Sequence, residues 1–79
     1  MKVVKSKQVR KFIDSQDAIT RERLEAALSK LPLGDVVPIV NATDAFRLRV
    51  GKYRAVFVYD GKLIKVTLID VRGQVYKRR

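Results

Sequence analysis

The sequence predicts an α+β fold in which an N-terminal helical hairpin packs on a twisted antiparallel β-sheet. The first half of the chain carries apolar residues at helical spacing, and the second half consists of β-rich runs joined by short turn pairs. The 79 residues, 47% of them hydrophobic, suffice for one thin core. We therefore expect residues 1–79 to form a single domain.

The first helix is predicted from its cap and its apolar spacing. A short edge strand over residues 2–4 precedes Ser6, which is a good N-cap residue. Val9, Phe12 and Ile13 then follow at the i, i+3, i+4 spacing of a helix face. These residues indicate a short helix with one side directed to the core.

A second helix is expected after residues 15–17 (Ser-Gln-Asp), which offer a break and a new cap. Its apolar stripe comprises Leu24, Ala27, Leu28 and Leu31. Pro32 ends it, because a proline cannot continue a helix. Residues 32–45 contain both prolines and an Asn/Thr/Asp cluster, which indicates an irregular connection with a short extended piece at residues 36–40.

The C-terminal half predicts a three-stranded antiparallel meander. Gly51-Lys52 and Asp60-Gly61 are the residue pairs typical of type II′ and type I′ two-residue hairpin turns. Two-residue loops would pair Val50 with Tyr53 and Tyr59 with Lys62. This register assigns every side chain of the meander to one face.

The two faces of the predicted meander differ in chemistry. The apolar face, which the helices should cover, carries Phe46, Leu48, Val50, Tyr53, Ala55, Phe57, Tyr59, Ile64, Val66 and Leu68. The basic face, which should stay open, carries Arg47, Arg49, Arg54, Val56, Val58, Leu63, Lys65, Thr67 and Ile69.

The open face contains a pair of like charges. The register places Arg49 opposite Arg54 with Thr67 in the same row, and Arg47 opposite Val56 with Lys65 beyond. Facing like charges destabilise a sheet by about 0.2–1 kcal/mol, and an anion held between them would reverse the sign. A guanidinium group can bind two phosphate oxygens at once, and two arginines on one face therefore predict a phosphate site. The alternative is that the arginines extend into water.

Net charge and missing residue types limit the possible functions. The chain carries 18 Lys+Arg against 8 Asp+Glu, a formal charge of +10, which favours nucleic acid, an anionic membrane or an acidic protein as partner over a merely solvated basic surface. The absence of Cys and His excludes disulfides, thiolate nucleophiles and imidazole catalysis, so we expect no metal or cofactor. No apolar run reaches membrane-spanning length, and we expect a cytoplasmic protein without a membrane partner.

Two motifs resemble a known family. Residues 46–57 (FRLRVGKYRAVF) and 71–76 (VRGQVY), placed after two helices and a loop, resemble the RelE/ParE superfamily of toxins from type II toxin–antitoxin systems. The resemblance implies the RelE-like microbial RNase fold. It also implies a ribosome-dependent endoribonuclease, an mRNA interferase that cleaves mRNA by 2′-OH attack without a metal.

The resemblance also assigns roles to individual residues. Arg54 and Arg72 match the phosphate-binding arginines of the family. Tyr76 matches its C-terminal tyrosine, which is suited to proton transfer or to stacking on a base, and Lys52 is a further candidate for proton transfer. The remaining expected RNA-binding residues are Arg47, Arg49, Lys65 and Lys77. Val71 stands where several ribonuclease members carry a histidine, so a histidine-based mechanism is excluded.

The family also implies partners. We expect a cognate antitoxin protein, mRNA on the ribosome as substrate, and operator DNA only for the toxin–antitoxin complex. Two other functions stay open from the sequence: a ParE-like poison of DNA gyrase without ribonuclease activity, and a family member that binds antitoxin without catalysis.

Overall fold

A computed structural model describes residues 2–41 and 43–71 of the chain. In chain order the elements are β1 Lys2–Lys5, α1 Lys7–Asp14, α2 Ala18–Ser29, β2 Val36–Pro38, β3 Ala45–Val50, β4 Tyr53–Tyr59 and β5 Leu63–Val71. The strands form one sheet in the order β1-β5-β4-β3-β2. The predicted α+β class and the antiparallel meander β3-β4-β5 are confirmed.

The prediction of a wholly antiparallel sheet is wrong at one edge. β1 lies beside β5 and runs parallel to it, whereas the other neighbouring strands are antiparallel. Parallel strands need a long crossover connection between them. The two helices and three strands between β1 and β5 provide that connection. The extended piece expected within residues 36–40 is β2, which extends the meander at its other edge.

Both predicted helices are present; α1 begins at its predicted cap, Ser6, and the cap of α2, Asp17, lies within the predicted run 15–17. The Ser6 hydroxyl accepts a hydrogen bond from the Val9 amide at the start of α1, and an Asp17 carboxylate oxygen accepts one from the Thr20 amide at the start of α2. Hydrogen bonds from Thr20 lower the pKa of the Asp17 carboxyl below its ordinary value of 3.8. The arrangement of the helices as a hairpin stays a prediction.

The β3–β4 hairpin has the predicted register. Val50 pairs with Tyr53 and Arg49 with Arg54, which leaves Gly51 and Lys52 as a two-residue loop. Gly51 has a φ of 59°, the left-handed conformation that a type II′ turn requires at its first central position.

The β4–β5 hairpin does not have the predicted register. Tyr59 pairs with Ile64 instead of Lys62, because the loop is longer than two residues. One carboxylate oxygen of Asp60 accepts hydrogen bonds from the amides of Lys62 and Leu63, and this turn stabilises the longer loop. The amides of Leu63 and Lys62 lower the pKa of Asp60 for the same reason.

A β-bulge shifts the register of the same hairpin once more. Phe57 pairs with Val66 and Val56 with Leu68, so Thr67 is the extra residue of β5. Because of this extra residue, the side chains that follow it in β5 lie on the opposite sheet faces from those predicted. Leu68, predicted in the core, is 44% exposed, and Ile69, predicted on the open face, is 1% exposed.

The beginning of α1 is hydrogen-bonded to β5 around this bulge. The Ser6 amide donates to the Val66 carbonyl, and the Ser6 hydroxyl donates to the Thr67 carbonyl. The Gln8 side-chain amide pairs with both backbone groups of Ile69, donating to its carbonyl and accepting from its N–H, each at 3.2 Å. These bonds satisfy backbone groups that the irregular strand would otherwise leave without partners.

The helices cover one face of the sheet, and the core lies between the two layers. Its buried members are Val9, Ile13, Leu24, Leu28, Leu31, Leu48, Ala55, Phe57, Ile64, Val66 and Ile69. The opposite sheet face, called the open face below, carries no helix among the described residues. Within residues 2–41 and 43–71, neither helix has the length and apolar character that crossing a membrane requires.

Candidate phosphate site on the open face

Three arginines meet on the open face at the end of the sheet near the β3–β4 turn. Successive side chains of a strand lie on opposite faces, so that burying Leu48 of β3 and Ala55 of β4 directs Arg47, Arg49 and Arg54 away from the helices. These arginines line a shallow recess of about 90 Å³. The recess, called the arginine recess below, is formed by Asp35, Val37, Arg47, Arg49 and Arg54.

The predicted pairing of Arg49 with Arg54 is confirmed, but the predicted position of Thr67 next to Arg54 is wrong. Arg49 and Arg54 are direct partners across β3 and β4. Thr67 does not complete the row, because the longer loop and the bulge place Asp70 opposite Arg54. Asp35 lies beside Arg49 on the other side. The two arginines are therefore flanked by an acid at each end, and the charge of the row is balanced.

Arg49 and Asp35 form an ion pair at the rim of the recess. The Arg49 Nε donates to the Asp35 Oδ2 at 3.0 Å, and the two side chains are 54% and 53% exposed. The Arg49 amide also donates to the Asp35 carbonyl at 3.0 Å. Asp35 thus bonds Arg49 through both its backbone and its side chain.

Arg47 has different surroundings. It pairs with Val37 on β2 and with Val56 on β4, and its side chain is half-buried. Within the part of the chain that the structure describes, its guanidinium makes no hydrogen bond or ion pair. Apolar neighbours exclude some water and strengthen the interaction of this cation with an incoming anion.

Two of the predicted lysines, Lys52 and Lys65, lie outside the arginine recess. Lys52 is exposed in the β3–β4 turn, with its Nζ 5.6 Å from the ring centroid of Tyr53. Lys65 pairs with Val58 and not with Val56 as predicted, because the β4–β5 loop is longer. It is exposed on the open face, about 13 Å along the strand from the row of Arg54.

Three predicted site residues, Arg72, Tyr76 and Lys77, lie outside the described residues. Their assignments stay predictions. Among residues 2–41 and 43–71, no group of three or more acidic residues is placed to hold a metal ion.

Two residues of the site were missed in the sequence, and both are acids. Asp70 becomes visible as the partner of Arg54 once the β4–β5 register is known. Asp35 precedes a three-residue strand, and only the antiparallel pairing of that strand with β3 brings it to Arg49. The recess therefore combines arginine guanidinium groups, which are suited to phosphate oxygens, with negative charge of its own beside them.

Comparison with known proteins gives solved structures of similar fold. A chain of the RelB-RelE antitoxin-toxin complex from Methanococcus jannaschii aligns over 95% of this chain and 96% of that chain, with 20% identity and a TM-score of 0.75. A chain of the archaeal RelE-RelB complex from Pyrococcus horikoshii OT3 aligns over 92% and 96%, with 26% identity and a TM-score of 0.73. No protein-family model and no curated protein matches the sequence.

The alignments cover nearly the whole of each chain, so the elements and their order are shared. The fold is that of a chain found in RelB-RelE antitoxin-toxin complexes. The chain is therefore RelE-like in fold, which confirms the resemblance found in its motifs.

Proposed function

We propose that this chain is the toxin of a type II toxin–antitoxin pair and acts as a ribosome-dependent endoribonuclease on mRNA. One observation carries the proposal: in a RelE-like fold, Arg47, Arg49 and Arg54 converge on a recess of the sheet face that the helices leave uncovered. Single-stranded RNA presents phosphates to such a face without having to enter a deep pocket.

The chemistry required is phosphate stabilisation and proton transfer. Attack of a 2′-OH on the adjacent phosphate places additional negative charge on the phosphate oxygens, and arginine donors stabilise that charge. In this proposal Arg54 and Arg72 bind the reacting phosphate. Lys52 and Tyr76 move the protons of the 2′ and 5′ oxygens, since the chain has no histidine.

The remaining RNA contacts extend along the open face. Arg47 and Arg49 bind the backbone beside the reacting phosphate, and Lys65 and Lys77 attract more distant phosphates. The charge of +10 supports this placement, because it accelerates the encounter with a polyanion.

The proposed partners follow from the same comparison. Both similar structures are complexes of RelE with RelB, so we propose a cognate antitoxin that neutralises this chain. Operator DNA would bind only the toxin–antitoxin complex. Because mRNA on the ribosome is the substrate, the proposed location is the cytoplasm.

Primer extension on mRNA after induction of the protein tests the activity. Wild-type protein should arrest growth and produce cuts within codons, whereas Arg54→Ala should abolish both. Arg10→Ala is the matched control, because Arg10 is an exposed arginine of α1, on the side of the sheet opposite the recess. Intact transcripts together with a DNA-damage response would instead support gyrase poisoning. Harmless expression with tight antitoxin binding would support a non-catalytic member.

A further inference from the structure

Asp35 is held at the rim of the arginine recess by the backbone around it. Gly34 has a φ of 118°, and its carbonyl accepts a hydrogen bond from the Val36 amide at 2.9 Å. The Asp35 carbonyl accepts the Arg49 amide at 3.0 Å. These backbone bonds keep the carboxylate beside Arg49 without help from the side-chain ion pair.

The ion pair itself contributes little to folding. Both side chains are more than half exposed, and exposed pairs of this kind are weak because water screens them and their side chains lose rotamer freedom. A phosphate offers the guanidinium two oxygens in a bidentate, charge-assisted geometry, which is stronger than the single bond from Nε to Oδ2. An RNA phosphate can therefore replace the carboxylate.

We propose that Asp35 is a built-in competitor of RNA at the arginine recess. In the free protein the Asp35 carboxylate neutralises Arg49. A phosphate that binds Arg49 must displace this carboxylate, which stays nearby and repels it. This inference rests on the proposed function, and it adds a residue that limits the affinity of the site. Arg47, with valines on both sides, has no such competitor among the described residues.

The test is binding of a short single-stranded 2′-O-methyl RNA, which lacks the 2′-OH and therefore cannot be cleaved. Asp35→Asn should bind it about two- to fivefold more tightly at low salt, because the neutral asparagine no longer competes with phosphate as an ion-pair partner of Arg49. The plot of log affinity against log salt should steepen by up to about 0.7, because in the variant the contact of Arg49 with a phosphate is no longer offset by the loss of its ion pair with Asp35.

Two comparisons separate competition from a general effect of charge. Glu22→Gln removes one negative charge from the exposed side of α2, away from the open face, and should change neither affinity nor slope. In an Arg49→Ala background, Asp35→Asn should no longer increase affinity, because the arginine for which carboxylate and phosphate compete is missing. Thermal unfolding of each variant checks that the fold is retained.

Weaker binding by Asp35→Asn would overturn the inference, since it would make Asp35 a residue that orients Arg49 for binding. An unchanged affinity, a gain that persists without Arg49, or failure of the wild-type protein to bind the RNA would overturn it as well. If binding follows the expected pattern while mRNA cleavage is absent in cells, the inference stands and only the ribonuclease activity fails.

Discussion

The two faces of the strands β3, β4 and β5 serve different purposes although they share one backbone. On the covered face, Leu48, Phe57 and Ile69 are at most 2% exposed and pack against the helices. On the open face, Arg49 and Lys65 are exposed, and the arginines gather around a recess. Alternation along a strand places both sets of side chains within a few residues of one another.

This arrangement separates stability from binding. A small domain has one thin core, and each buried residue contributes a large share of it. Substitutions on the covered face should therefore change the free energy of unfolding, whereas those on the open face should change affinity for RNA. The predictions below test this division.

The largest effect is expected at the centre of the covered face. Phe57 is 0% exposed and stacks on Phe46 with ring centroids 5.5 Å apart. Phe57→Ala should lower the free energy of unfolding by about 3–5 kcal/mol, because it removes apolar contacts and leaves a cavity. Urea unfolding followed by circular dichroism measures this. A loss below about 1 kcal/mol would contradict the described core.

The next effect tests the bulge in β5. Ile69→Ala should cost about 2–5 kcal/mol because Ile69 is buried, and Leu68→Ala should cost less than about 1 kcal/mol because Leu68 is 44% exposed. The two variants serve as controls for each other, since they are neighbours on one strand. A larger loss for Leu68→Ala than for Ile69→Ala would contradict the bulge and support the register predicted from the sequence.

On the open face the expected change is in binding. Arg47→Ala should weaken binding of the 2′-O-methyl RNA about tenfold or more, because a charge-assisted bond to phosphate is lost. Its free energy of unfolding should change by less than about 0.5 kcal/mol. Fluorescence anisotropy and urea unfolding together measure both quantities, with Arg10→Ala as control. Equal losses in the two arginine variants would mean that the recess is not the binding site.

The smallest effect concerns pH and the cap of α2. Because the bonds from Thr20 lower the pKa of Asp17 in the folded protein, its carboxylate stabilises the fold above about pH 4, and this contribution is lost as the pH falls through the lowered pKa. Asp17→Asn retains a capping side chain that does not titrate. The urea midpoint of the variant should therefore fall less between about pH 5 and pH 2.5 than that of the wild type. Identical pH profiles would contradict a role for this carboxylate.

Local signals predicted much of the fold. Ser6 and Asp17 mark the helix starts, and Gly51 marks a turn whose length settles the pairing of β3 with β4. The facing pair Arg49 and Arg54 follows from that turn alone. Each of these features depends on residues that are close in sequence, where propensity and turn geometry dominate.

Features that depend on distant residues were not predictable in the same way. The loop after Tyr59 is lengthened by the Asp60 carboxylate, and the bulge at Thr67 is held by Ser6 and Gln8, about 60 residues earlier in the chain. Their combined effect moves Asp70 into the arginine row. The sequence therefore predicted the cations of the site and missed the acids that balance them.

The parallel pairing of β1 with β5 has a consequence for synthesis of the chain. Lys2–Lys5 are synthesised before their partners, which begin at Leu63, about 60 residues later in the chain. β1 can join the sheet, and Gln8 can bond to Ile69, only when β5 has emerged from the ribosome. Because loop closure over so long a distance must precede these contacts, we expect the pairing of β1 with β5 to be a late step of folding.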